Sequence, residues 1–154
     1  MIPSTMERVP RHTAKSVNEQ IRRGIEENVA RFAAQGRERI DRRLAELDRE
    51  WDIERTLEAN ASLVSLLGLS LGSTVNRKWY LLPAGVAAFL LLHAVQGWCP
   101  PLPVLRRLGY RTATEIDYER YALKSIRGDF QNLPANRRGK RAVAARRSVQ
   151  AAQS

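Results

Sequence analysis

The sequence predicts an all-α membrane protein: a two-helix transmembrane hairpin preceded by a long amphipathic, charged helix and followed by a short amphipathic helix. Three observations predict it. Residues 59–75 carry no formal charge, and neither do residues 79–98. Only Asn76, Arg77 and Lys78 separate the two runs. Charge is dense on both sides, so a mean hydropathy of -0.40 averages an apolar middle with polar flanks. At 1.5 Å per residue the runs make helices of about 26 and 30 Å, against a hydrocarbon core of about 30 Å. A soluble hairpin would have to bury two helices that are apolar all round, more than a chain of 154 residues covers by itself.

Charge and composition narrow the partners. Lys and Arg number 26 against 16 Asp and Glu, a net charge of +10. With an apolar hairpin in the chain, anionic lipid is the expected partner. Nucleic acid is disfavoured, because no aromatic platform accompanies the basic residues. The single cysteine, Cys99, excludes an internal disulfide and a multi-cysteine metal site. There is no glycine-rich phosphate loop, serine nucleophile elbow or zinc-ligand spacing. The expectation is a non-enzymatic membrane anchor, scaffold or oligomeric accessory protein, with no cofactor. No signal-peptide pattern precedes the first run, so the first membrane helix is expected to act as the insertion signal.

Taken in order, residues 1–13 contain Pro3 and Pro10 and are expected to be disordered. Residues 14–58 read as one or two cytoplasmic amphipathic helices, because Val17, Ile21, Ile25, Val29 and Phe32, then Ile40, Leu44, Leu47 and Trp51, recur at spacings of three or four. Gly36 falls in the gap and marks a break. This stripe can serve a homo-oligomeric coiled coil or a protein partner at the membrane. It can equally lie on the lipid surface or pack within its own chain.

The hairpin spans residues 59–98. Gly68 and Gly72 on the first arm, and Ala84 and Ala88 on the second, are the candidate helix-packing residues. Trp79, Tyr80 and Trp98 are candidate interfacial anchors. The outer flanks carry Arg42, Arg43, Arg49 and Arg55, then Arg106, Arg107 and Arg111, against Arg77 and Lys78 in the turn. The positive-inside rule then places both termini in the cytoplasm. Residues 99–111 read as a proline-rich interfacial turn in which regular helix is not expected. Residues 112–130 form an amphipathic helix with Thr114 and Asp117 as its capping pair. Residues 131–154 are an acid-free basic tail, expected to be disordered or a weak helix lying against anionic headgroups. Arg106, Arg107, Arg137, Arg138, Lys140 and Arg141 are the expected contacts to lipid headgroups.

The exit of the second membrane helix reads GWCPPLPVLRRLGYRT. Gly97, Trp98, Cys99 and Pro100, followed by Leu108 and Gly109, resemble the signature of the small two-helix inner-membrane domain of the YgaP type. The resemblance covers about residues 55–112. It implies a bacterial inner membrane. Because that domain stands alone or is joined to a rhodanese, it also implies a rhodanese-like sulfur carrier as a candidate partner. The Asn-Val-Gly stretch and Asp-Arg pair that usually precede the family's first helix are missing here, where the chain reads ERTLEANASLV, and no rhodanese active loop is present.

Two side chains invite chemistry. Cys99 is the candidate reactive thiol, for an alternative role as an auxiliary of sulfur transfer or redox metabolism. Against that stand a helix C-terminus, which disfavours a thiolate, and an apolar setting, which raises a thiol pKa. His93 is the one imidazole in a membrane run and the candidate metal or haem ligand. Without Cys-x-x-Cys-His or spaced carboxylates, a neutral histidine bonded to a neighbouring carbonyl or serine is expected instead. A small oligomeric channel or transporter is a third alternative, poorly served by runs with few polar residues to line a pathway.

Overall fold

The computed structural model describes Ser4, residues 6–131 and residues 150–152, and every element among them is helical. In chain order these are α1 (Arg8–Arg11), α2 (Lys15–Gln35), α3 (Arg37–Leu47), α4 (Ile53–Thr74), a 3-10 turn (Arg77–Tyr80), α5 (Leu81–Gln96), α6 (Leu102–Arg107) and α7 (Ala113–Arg127). The chain divides into two compact units, Met1–Arg23 with Trp51–Glu115 and Gly24–Glu50 with Ile116–Ser154.

The first unit contains the hairpin. α4 begins where Asp52 accepts a hydrogen bond from the Arg55 N–H at 2.7 Å, and the Ile53 N–H donates to the Arg111 carbonyl at 2.8 Å. The charged first turn of this helix, Ile53 to Glu58, is thus continuous with the apolar run, and the break from the preceding helix falls at residues 48–52. The chain then reverses. Asn76 accepts from the Lys78 N–H at 2.9 Å, and α5 packs back along α4. Val9, Ile53, Leu57, Cys99 and Leu102 form the core of this unit, with Leu105 and Tyr110 against it.

Two expectations fail in this unit. Residues 1–13 are not uniformly disordered: Arg8–Arg11 is helical and Val9 is 2% exposed, because its side chain completes that core. Residues 99–111 are not a non-helical turn either. Pro101 precedes α6 and Pro103 stands in its first turn, where a missing N–H has no partner to lose, so Leu102–Arg107 is helical.

The second unit is built on α3 and α7. Gly36, at a φ of 88°, separates α2 from α3, as the spacing of the apolar stripe predicts. Ile40, Leu44 and Leu47 pack against Ile116 and Leu123, with Val29 and Phe32 at the margin. The α3 part of the stripe is therefore buried within its own chain and is not free for a coiled-coil partner. Arg43 lies among acids: its Nε donates to Glu119 Oε1 at 2.7 Å and its Nη1 to Glu46 Oε2 at 3.0 Å. Glu119 is fully buried, so this pair is desolvated and depends on both partners. Replacing Glu119 by Gln keeps the shape and removes the charge. We expect it to lower stability by about 2 kcal/mol, read from thermal unfolding followed by circular dichroism.

The opening of α7 differs in register from the predicted cap. Thr112, not Thr114, is the capping residue: Thr112 Oγ1 accepts from the Glu115 N–H at 3.2 Å, and Glu115 Oε2 accepts from the Thr112 N–H at 2.8 Å. That is a reciprocal capping box, and glutamate has the reach that Asp117 lacks. Asp117 is engaged instead by Arg120.

Candidate functional site: the hairpin and its base

The arms of the hairpin meet most closely near the turn. A Cβ on Gly68 would stand 2.6 Å from Pro83 Cδ, and one on Gly72 would stand 2.8 Å from the Tyr80 ring. Both glycines are buried, so the small-residue surface of α4 joins the two arms of one chain. Ala84 and Ala88, by contrast, are exposed; the seam on α5 runs through Leu82 and Pro83. Tyr80 is tied back to α4 by its hydroxyl, 3.1 Å from Ser73 Oγ. Trp79 and Tyr80 are exposed at this tip beside Arg77 and Lys78, and Trp98 is half-buried at the other end.

The outer surface of both arms is apolar. Leu63, Leu66, Leu67 and Leu69 on α4 and Leu81 and Leu91 on α5 are between 46% and 75% exposed. Residues 77–96 form one helix long and apolar enough to cross a membrane, by length and composition, and it is the only such helix among the described residues. α4 is less apolar because the charged Glu58 and the polar Asn60 fall within any 18-residue stretch of it and Ser62, Ser65, Ser70 and Ser73 dilute it further. Several of these polar groups are satisfied within the helix. Ser70 and Ser73 donate to the carbonyls of Leu66 and Leu69 at 2.9 Å, Thr74 to Ser70 at 2.7 Å, and Asn60 to Thr56 at 2.8 Å.

Nearer the base, a cleft of about 460 Å³ opens between the arms. Leu57, Ala61 and Val64 line one side, Val86, Phe89 and Leu90 the other, and Cys99 to Pro101 with Leu105 close it below. Cys99 is thus a wall residue, 4% exposed. Burial pushes its thiol pKa up, and the Leu102 N–H opposes this only in part. Such a thiol is a poor nucleophile at neutral pH.

Below the cleft, the N-terminal segment closes the base. Arg8 Nη2 lies 2.6 Å from both carboxylate oxygens of Glu54 on α4, and Arg8 Nη1 donates to the Ala94 carbonyl at the end of α5 at 3.1 Å. One cation therefore neutralises an acid on one arm and caps the carbonyl end of the other. Gly97 ends α5 in the left-handed region, at a φ of 83°, and a Cβ there would stand 2.5 Å from the backbone of Arg8. His93 is buried beside this junction, and neither ring nitrogen has a hydrogen-bond partner among the described residues. The expected bond to a carbonyl or serine is absent. Among the described residues no three His, Cys, Asp or Glu side chains stand together so as to hold a metal ion.

Arg106 is placed differently from the prediction. It is 1% exposed and donates all five of its N–H groups to protein. Nε donates to Thr13 Oγ1 at 3.1 Å, Nη1 to the Tyr110 carbonyl at 3.0 Å, and Nη2 to Asn18 Oδ1 at 2.9 Å. Glu115 takes the remaining pair at 2.6 and 2.7 Å. A guanidinium so enclosed has nothing left for a lipid headgroup. Arg107, on the same short helix, is exposed, with Val104 and Leu108 exposed beside it. Arg137, Arg138, Lys140 and Arg141 lie outside the described residues. Sequence reasoning missed Arg8, Glu54 and Glu115. For Glu115 a signal existed, the Thr-Ala-Thr-Glu run that fits a capping box.

Compared with known proteins, the chain matches no protein-family model, no curated protein and no solved structure.

Proposed function

We propose that this chain is a non-enzymatic membrane anchor or scaffold whose α4–α5 hairpin enters a lipid bilayer. The observation that carries the reading is the apolar outer surface on both arms, from Leu63 to Leu91. A soluble monomer rarely leaves so large a contiguous apolar patch in water. The hydroxyls of α4 support the same reading, because bonds to the helix's own carbonyls lower the cost of placing them in hydrocarbon. Length is sufficient in α5 with its 3-10 turn, where Arg77–Gln96 makes about 30 Å of helix. The apolar part of α4, residues 59–74, makes about 24 Å, a shorter arm that a locally thinned bilayer accommodates. Trp79 and Tyr80 would sit at one interface with Arg77 and Lys78, and Trp98 at the other. In this reading both termini are cytoplasmic, the host is a bacterial inner membrane, and α6 lies along the headgroups with Arg107 as its cation and Val104 and Leu108 dipping below.

Flotation of the full chain with vesicles of phosphatidylcholine and phosphatidylglycerol tests the reading. The protein should float with the vesicles and resist extraction by alkaline carbonate. Leu66→Arg and Leu91→Arg each place a charge on the outer surface, and each should cost about 2.5–3.5 kcal/mol of insertion, seen as a large shift to the soluble fraction. A wild-type chain that stays in the supernatant, or that washes off at alkaline pH, overturns the proposal.

A further inference from the structure

We propose that the cleft between α4 and α5 holds one hydrocarbon chain of a membrane lipid; this rests on the membrane reading above. The walls are the first argument. Leu57, Ala61, Val64, Phe89 and Leu105 offer hydrocarbon, and the one amide, on Asn60, is already donated to the Thr56 carbonyl. An occupant therefore needs no polar group inside the cleft, and water finds almost no partners there. The second argument is continuity. Val64, Phe89 and Leu90 line the cleft and are also exposed on the outer surface, so the cleft opens sideways onto the face that would meet lipid tails. A chain enters laterally without crossing a polar rim.

Volume separates a lipid tail from a helix of a second protein. A helix 10–12 Å across fills 460 Å³ within about one turn, too little for stable helix docking. A narrow flexible chain uses the same space along its length. Cys99 acquires a role here that needs no reactivity, as a small apolar side chain in the wall.

The test uses the full chain in vesicles of phosphatidylcholine and phosphatidylglycerol that contain a trace of phosphatidylcholine bearing a diazirine in one acyl chain. After irradiation, adducts are mapped by peptide mass spectrometry. The expected result is several-fold higher labelling of Leu57, Ala61 and Cys99 than of the outer residues Leu66 and Leu91. Ala61→Trp fills the cleft and should lower the inner adducts about tenfold while leaving the outer ones. Leu90→Trp fills it from the opposite arm, so the result does not depend on one variant. Equal labelling of inner and outer residues in the wild-type chain overturns the cleft proposal and leaves the membrane reading standing. Labelling of neither set, with the protein left unfloated, overturns both.

Discussion

Arg106→Leu should destabilise the first unit by about 3–5 kcal/mol, because removing one partner leaves the other charge partly buried and alone. The stranded partner is Glu115, and Thr13, Asn18 and the Tyr110 carbonyl lose their donor at the same stroke. Arg106→Lys should recover only part of the loss, since one ammonium cannot serve four partners in a fork geometry. Thermal unfolding of the detergent-extracted protein reads the difference. Acid gives a second signature. Burial alone would raise the Glu115 pKa, but its bonds to Arg106 and Thr112 and the Arg106 charge together hold it below its ordinary value near 4.5. The stabilisation is therefore complete above that value and is lost as the pH falls through the lower, folded-state value. In Arg106→Leu the largest of the lowering influences is gone, so the wild-type loss of stability below about pH 4.5 should shrink or reverse. An unchanged acid profile would show that the pair contributes nothing.

Gly97→Val should be the second severe change. The left-handed backbone at a φ of 83° costs a β-branched residue about 1–3 kcal/mol. The added Cβ would also stand 2.5 Å from the Arg8 carbonyl carbon and oxygen, which are backbone and cannot swing aside. Relief requires moving α1, and with it Val9 leaves the core, at a further cost of about 1.5–3 kcal/mol. Limited proteolysis gives a local readout beside the melting temperature: cleavage after Arg8 or Arg11 should be slow in the wild-type chain and fast in Gly97→Val. Equal cleavage rates would mean that the N-terminal segment is not held by this junction.

The helical reversal of α4 into α5 was legible because it is written as an absence: two charge-free runs and a basic turn leave few other structures, although among the described residues only 77–96 are long and apolar enough to cross a membrane. Gly68 and Gly72 were legible as a close-approach surface, since nothing else lets two backbones come so near. Ala84 and Ala88 were misleading because small residues permit contact without compelling it, and Pro83 took the seam. Arg106 could not be read from its neighbourhood. Composition counts it as one more cation near a membrane, while its partners stand 9, 88 and 93 residues away. Val9 was overlooked for a related reason: a single valine between charges has no periodicity, and it is buried only because Ile53, Leu57 and Leu102 leave a place for it. The α3 stripe was legible as a stripe, but periodicity says which face is apolar and not what covers it.

The grip of Arg8 on both arms bears on the order in which the molecule can be assembled. Its two partners lie 46 and 86 residues further along the chain. During synthesis, which runs from the N-terminus, the Arg8–Arg11 segment emerges before either partner; Glu54 comes with α4, and the Ala94 carbonyl only once α5 has been made and has reached its place beside α4. The full two-armed grip of Arg8 therefore closes only after both arms are in place. Its docking reports that both arms have arrived.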